Sequence, residues 1–287
     1  MTTPPFLIFV HIQKAGGISL QRILRRKLGP SLPHRAARLL SGKSQNLPLE
    51  ASLRAKTPED RYFVGHCCYG VHRLLPTPYT YITLLREPVS RVISLYYYSR
   101  SNSTAFYHHH AVNKSLEDFA LHTPLMELDN GQVRFIAGDP HDCFINRTPI
   151  GKCDRSLLEL AKRNIERDFS WVGLTEYYDQ SLLLLAKQMN WSHCLYLRRN
   201  TKQKNSDETI SISLRKKIAE QNWLDVELYH YAQKRLFAAL EENHLDDPAI
   251  VETFRSQNER FNAYFGAPYA AYDLTKAIIR GQLGRPL

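Results

Sequence analysis

The sequence predicts an α/β protein: a central, mostly parallel sheet with helices on both faces, three layers in all, followed by a helical C-terminal part. Three observations predict it. Short apolar runs recur and each is followed by a turn and then by helical spacing, which is the pattern of strand–helix units. Several of these runs hand over at their C-terminal ends to a lone polar residue of chemical use. From Ile210 to Phe265 the periodicity is helical throughout. No repeat and no Pro-, Gly- or Ser-rich linker divides the 287 residues, so one domain is expected: a core over 1–205, a helical extension over 206–265 and a tail over 266–287.

The first element is the run Phe6–Val10, long enough for a buried strand and far too short to cross a membrane. It leads through His11-Ile12-Gln13-Lys14 into Ala15-Gly16-Gly17. Apolar positions at 20, 23, 24 and 28 then mark a helix that Gly29-Pro30 stops. Strand, glycine turn and helix in that order favour an anion. Glycine lets backbone N–H groups approach a phosphate, the helix N-terminus adds partial positive charge, and Lys14 adds a whole one. In a P-loop the lysine follows the glycines; here it precedes them, which makes ATPase chemistry the poorer match.

Residues 31–60 are polar and basic and read as a connection. Arg61–Gly65 reads as the second strand and delivers His66; Tyr79–Leu85 reads as the third and delivers Arg86. Pro88 suits the first turn of a helix whose apolar positions fall at 89, 92, 93, 96 and 97. In open α/β sheets ligands gather outside the carboxyl ends of the strands, so Lys14, His66 and Arg86 are expected to converge on one crevice. Residues 99–114 read as a polar loop. Its run His108–His110 is a poor metal site, because consecutive side chains rarely meet at one ion. Two short helices broken at Pro124 follow, the second carrying Asp129 to Arg134. A loop bounded by Cys143 and Cys153, a helix over 156–169, a strand Trp171–Thr175 ending at Glu176, a helix over 178–189 and a short strand Cys194–Leu197 come next. A basic loop, Arg198 to Lys204, then precedes the C-terminal helices.

A formal net charge of +10 points to anionic partners. Five cysteines without metal spacing read as free thiols of a reducing compartment; Cys143 and Cys153 could close one loop in an oxidising one. No signal peptide or membrane span precedes the first strand, which leads to the expectation of a cytoplasmic protein.

The motif pair HIQKAGG and LLREPVSRVISLYYY resembles the two cofactor motifs of sulfotransferases that use 3′-phosphoadenosine 5′-phosphosulfate (PAPS), and most closely those of carbohydrate sulfotransferases related to heparan sulfate 2-O- and 6-O-sulfotransferases. The segments DNGQVRFIAG, WVGLTEYYDQSLLLL and LDVELYHYAQ are similar to later segments of that family. The resemblance covers about residues 6 to 240. It implies a P-loop-like fold and transfer of a sulfuryl group from PAPS to a hydroxyl acceptor, most naturally a glycan, without a metal. It implies that Lys14 and the backbone of Ala15, Gly16, Gly17, Ile18 and Ser19 hold the 5′-phosphosulfate, that Arg86 and Ser94 hold the 3′-phosphate, and that His66 is the catalytic base, with Lys14 facing the leaving oxygen. His72, Glu87 and His11 are the other candidates for the base. Ala15 stands where the family has Thr, and the N-terminal anchor of the Golgi enzymes is missing; a lumenal place would require a longer chain. Two other classes compete. A nucleotide-dependent kinase needs an acidic metal ligand after a strand, for which Glu176 is a weak candidate. A non-catalytic polyanion binder is the other, but the basic residues are spread along the chain and no nucleic-acid module is present.

Overall fold

The computed structural model describes residues 4–29, 59–75, 78–197 and 210–282, together with Leu53 and Lys56; side chains are described as far as Gly266. Four strands form one parallel sheet in the order β2-β1-β3-β4: β1 is Phe6–Val10, β2 Tyr62–Gly65, β3 Tyr79–Leu85 and β4 Phe169–Leu174. Val10 pairs with Gly65 on one side and with Thr83 on the other, so the C-terminal ends of β1, β2 and β3 lie at nearly one level. Every residue of β1 is buried, which is why this strand reads as an unbroken apolar run. The chain leaves β1 towards β2 and returns to the other side of β1 as β3. The gap between β1 and β3 is therefore the switch point of the sheet, where a crevice opens above the strand ends.

Helices cover both faces and complete the expected three-layer α/β/α arrangement. The sheet-flanking helices are α1 (Gly17–Leu28), α2 (Pro88–Ser101), α5 (Gly131–Ala137), α6 (Arg155–Asp168) and α7 (Tyr178–Gln188). Two short helices, α3 (His108–Ala111) and α4 (Leu116–His122), stand between α2 and α5. The C-terminal helices are α8 (Ile212–Gln221), α9 (Trp223–Glu242) and α10 (Pro248–Gln282). On α1 the residues Leu20, Ile23 and Leu24 are buried, as their spacing predicts. One large core joins the sheet to α1, α6, α7 and α9, and a second cluster packs α2 against α4 and α8.

Three sequence expectations change. Cys194–Leu197 is not a strand: the Tyr196 N–H donates to Asn258 Oδ1 at 2.8 Å, and Asn262 Nδ2 donates to the Tyr196 carbonyl at 2.8 Å. Asparagine side chains of α10 satisfy the backbone groups that a sheet neighbour would have taken. The stretch 99–114 is not all loop, since α2 continues to Ser101 and α3 follows. The last helix passes residue 265 and runs to Gln282. All five cysteines are free thiols, Cys143 and Cys153 included.

Candidate active site

The turn after β1 is built from two glycines that are needed for different reasons. Gly16 caps α1 in the left-handed region at φ 79°, a conformation that costs L residues with side chains. Gly17 is needed for space: a Cβ there would stand 2.1 Å from His11 Cδ2. Lys14 itself has φ 65°, so the strain of the turn falls on the functional residue. No side chain caps α1, and its first turn has no acidic residue, an arrangement that suits an anion at the helix N-terminus. Ile18 is exposed and Ser19 half-buried.

Four residues close the crevice. Arg86 donates from one terminal nitrogen to the Lys14 carbonyl at 3.0 Å, joining the end of β3 to the turn after β1. The Arg86 Nε is buried and has no hydrogen-bond partner among the described residues; the nearest carboxylate oxygen, on Glu176, is 3.9 Å away. A buried guanidinium N–H left open beside a lysine is what a phosphate or sulfate oxygen would satisfy. Lys14 Nζ lies 4.0 Å from the centre of the Tyr98 ring. Burial, then the charge of Arg86, lowers its ammonium to about 8. The group therefore loses charge as pH rises through 8, and the affinity for a dianionic ligand is expected to fall by up to about tenfold per pH unit above that point. Titrating a nucleotide diphosphate between pH 7 and 9.5 checks this; Lys14→Arg should abolish the step, and an unchanged step in that variant would remove Lys14 from the site.

His66 follows β2. Its Nδ1 lies 2.5 Å from the His11 carbonyl, and its ring stacks on that of His11 with centroids 4.6 Å apart. A carbonyl can only accept, so Nδ1 carries the proton and Nε2 is the basic nitrogen. Gly17→Ala drives the His11 ring away and with it the platform under His66. Turnover is expected to fall by about tenfold or more with the fold intact, measured by steady-state rate beside a circular-dichroism melt.

Two of the other candidate bases, His72 and Glu87, are engaged by other groups. His72 Nδ1 meets the Tyr81 hydroxyl at 2.8 Å, and its ring stacks on Tyr79 at the start of β3. The seven residues of β3 span about 20 Å, so His72 is at the opposite end of the sheet from Arg86. Glu87 caps α2, accepting from Val89 N at 2.9 Å and Ser90 N at 2.7 Å. Ser94 is buried on α2, two turns beyond that cap. Of the expected residues, Arg86 touches the Lys14 backbone at the glycine turn, His66 stands at the end of the neighbouring strand β2 over the His11 carbonyl, and Ser94 is buried on α2. Arg198 to Lys204 lies outside the described residues.

Several supporting residues lie in segments that the resemblance picks out, but their roles are visible only in the fold. Gln132 clamps the backbone of Arg86: its Oε1 accepts from Arg86 N at 2.9 Å, and its Nε2 donates to Arg86 O at 2.8 Å. Asp225 accepts from the N–H groups of Gln132 and Val133 at 3.1 and 2.8 Å, while Asn130 Oδ1 accepts from Leu224 N and Asp225 N at 3.0 and 3.3 Å. The starts of α5 and α9 thus cap each other. The Thr175 hydroxyl sits 2.9 Å from the Ala15 carbonyl and 3.0 Å from that of Leu85. Glu176 faces Arg86 while accepting from Tyr229 Oη at 2.9 Å and Glu87 N at 3.1 Å. Of the three adjacent tyrosines, Tyr96 is buried and Tyr98 turns out to meet Lys14. Among the described residues no group of three His, Cys, Asp or Glu side chains could hold a metal ion.

A parallel sheet whose three adjacent strand ends lead to Lys14, His66 and Arg86 has the framework of a group-transfer enzyme. The galactose-3-O-sulfotransferase family model matches residues 66–266, and the chain belongs to that family of carbohydrate sulfotransferases. It is 28% identical over 243 residues to galactose-3-O-sulfotransferase 3 of Mus musculus, covering 78% of this chain and 54% of that protein. It is 25% identical over 270 residues to heparan-sulfate 6-O-sulfotransferase 2 of Gallus gallus, covering 79% and 66%. With heparan-sulfate 6-O-sulfotransferase 1 of Homo sapiens the identity is 26% over 271 residues, covering 79% and 64%. The chain thus spans between about half and two thirds of the length of these curated relatives. The expectation of a cytoplasmic location is corrected by them: they belong to the carbohydrate sulfotransferases of the Golgi lumen. Among the described residues no helix is long and apolar enough to cross a membrane, and that does not make the chain cytoplasmic.

Proposed function

We propose that this protein is an O-sulfotransferase that moves a sulfuryl group from PAPS to a carbohydrate hydroxyl, with His66 as general base. The observation that carries the reading is that Lys14, Arg86 and His66 follow three adjacent parallel strands at the same end of the sheet, with Arg86 bonded to the Lys14 backbone. The residues fit the donor: the uncapped start of α1 and Lys14 suit its 5′ end, and the open Nε of Arg86 suits its 3′-phosphate with Ser94 beyond. PAPS supplies, when bound, an activated sulfuryl group on a stable leaving group, 3′,5′-adenosine diphosphate.

His66 Nε2 takes the proton of the acceptor hydroxyl as its oxygen bonds to sulfur. Lys14 meets the charge that appears on the bridging oxygen as the old S–O bond breaks, and the backbone N–H groups of the glycine turn share that charge. Both kinds of donor are fixed before reaction: Lys14 by its turn and by Tyr98, the turn by Thr175 and Arg86. Burial of the two cations strengthens each contact relative to water. Incubation with PAPS and a panel of glycans, followed by mass spectrometry, tests the reading. A product heavier by one sulfuryl group with equimolar 3′,5′-adenosine diphosphate is the expected result; diphosphate release without sulfated glycan would exclude a glycan acceptor from that panel.

A further inference from the structure

Tyr178 opens α7, shortly after β4 ends at Leu174. Its hydroxyl oxygen is buried and has no hydrogen-bond partner among the described residues. The ring lies against the glycine turn. A Cβ on Gly16 would stand 3.5 Å from Tyr178 Cε2, the ring atom next to the carbon that bears the hydroxyl. The open hydroxyl is therefore at the start of α1, where the glycine turn suits an anion. Burial and the neighbouring Tyr196 push the Tyr178 phenol above its usual range, and the Ser19 hydroxyl draws it back. Ser19 is thus close by, although no hydrogen bond joins the pair.

The ring is braced from behind. It meets the ring of Tyr196 edge-on, with centroids 4.9 Å apart. Tyr196 is held at three points: its hydroxyl donates to Asp179 Oδ1 at 2.9 Å, and Asn258 and Asn262 of α10 bind its backbone. A buried hydroxyl held in place without a partner costs stability, so its retention calls for a group that completes it. Ser19 offers the link. It is half-buried in the first turn of α1, at the helix start that an anion would occupy. A serine hydroxyl has one hydrogen to give and lone pairs that accept. When its hydrogen goes to an anion, a fixed O–H on its other side can donate to it, and each bond of such a chain strengthens the other.

We propose that Tyr178 is a positioning residue of the donor site: its hydroxyl donates to Ser19 Oγ when Ser19 donates to the anion at the start of α1. The proposal rests on the donor reading above and adds a residue of α7 to it. The buried hydroxyl is satisfied in the loaded protein and open in the empty one. A bond made in one state only favours that state, so Tyr178 raises donor affinity without touching the donor.

The test is calorimetric titration of 3′,5′-adenosine diphosphate into the unaltered full chain, Tyr178→Phe, Ser19→Ala and the double variant, beside a thermal melt of each without ligand. Tyr178→Phe keeps the ring and removes only the O–H. Its diphosphate affinity is expected to fall by about three- to tenfold, the worth of one hydrogen bond. Its melting point without ligand is expected to hold or rise, because a hydroxyl with no partner is removed; a purely structural hydroxyl would lower it. In the Ser19→Ala background, Tyr178→Phe is expected to have no further effect on affinity. A Tyr178→Phe affinity within about twofold of the unaltered protein, a lower melting point without ligand, or full additivity of the two changes would each overturn the proposal. ATP·Mg²⁺ titrated into the same samples separates it from the donor reading. If ATP·Mg²⁺ binds and the diphosphate does not, the donor reading fails. The Tyr178 role then stands if Tyr178→Phe weakens ATP·Mg²⁺ binding by the same factor, and falls if it does not. Binding of neither nucleotide overturns both.

Discussion

His66→Ala is expected to lower turnover by roughly two to four orders of magnitude while leaving 3′,5′-adenosine diphosphate binding near normal, because a positioned general base contributes about that much. The histidine is separable from donor binding by its position: it stands at the end of β2, whereas Lys14 and Arg86 stand at the ends of β1 and β3. His66→Asn keeps a donor for the His11 carbonyl but has no basic nitrogen, so it should be as slow as His66→Ala. If His66→Asn recovered most of the activity, the role would be one of positioning, and the base would have to be sought elsewhere.

The largest expected effect on stability belongs to Asp225, which touches no ligand. Its carboxylate is fully buried, caps the start of α5, and lies 3.7 Å from one terminal nitrogen of the equally buried Arg91. Burial alone pushes its pKa up, and Arg91 and the two N–H donors pull it back. Asp225→Ala removes half of the counter-charge of a guanidinium that cannot reach water and leaves two N–H groups open. A loss of about 3–5 kcal/mol is expected, seen as a melting point lower by about 5–8 °C. The same variant loosens Gln132, so any protein that still folds should bind the diphosphate less tightly. Asp225→Asn, which keeps one acceptor oxygen, should lie between. A melting point within about 2 °C of the unaltered protein would show that the Arg91 cluster does not carry the stability assigned to it.

Much of this was legible in the sequence because it is local. Phe6–Val10 followed by two glycines and a 3.6-residue period specifies strand, turn and helix without reference to the rest of the chain. Strand-end residues are visible by the same means, so Lys14, His66 and Arg86 could be named from the sequence as ends of strands that prove to be neighbours. What escaped is what depends on partners far away in the chain. The resemblance picks out DNGQVRF and LDVELYHYAQ as separate segments; their relation is that Asn130 caps α9 and Asp225 caps α5, across more than ninety residues. Gly17 reads as a phosphate-loop glycine, whereas its missing Cβ makes room for the ring beneath His66. The failure at Cys194–Leu197 has the same root: an apolar run with good strand composition takes its hydrogen bonds from Asn258 and Asn262 of α10, which no local pattern announces.

The most direct test of the account is calorimetric titration of 3′,5′-adenosine diphosphate, without metal, into the unaltered protein and into Arg86→Ala, with ATP·Mg²⁺ as the comparison. The site described here predicts binding of the diphosphate at about micromolar Kd and a loss of about tenfold or more in Arg86→Ala, through the open Nε at the end of β3. Absence of diphosphate binding together with clear binding of ATP·Mg²⁺ would contradict it and would assign the crevice to a phosphoryl donor instead.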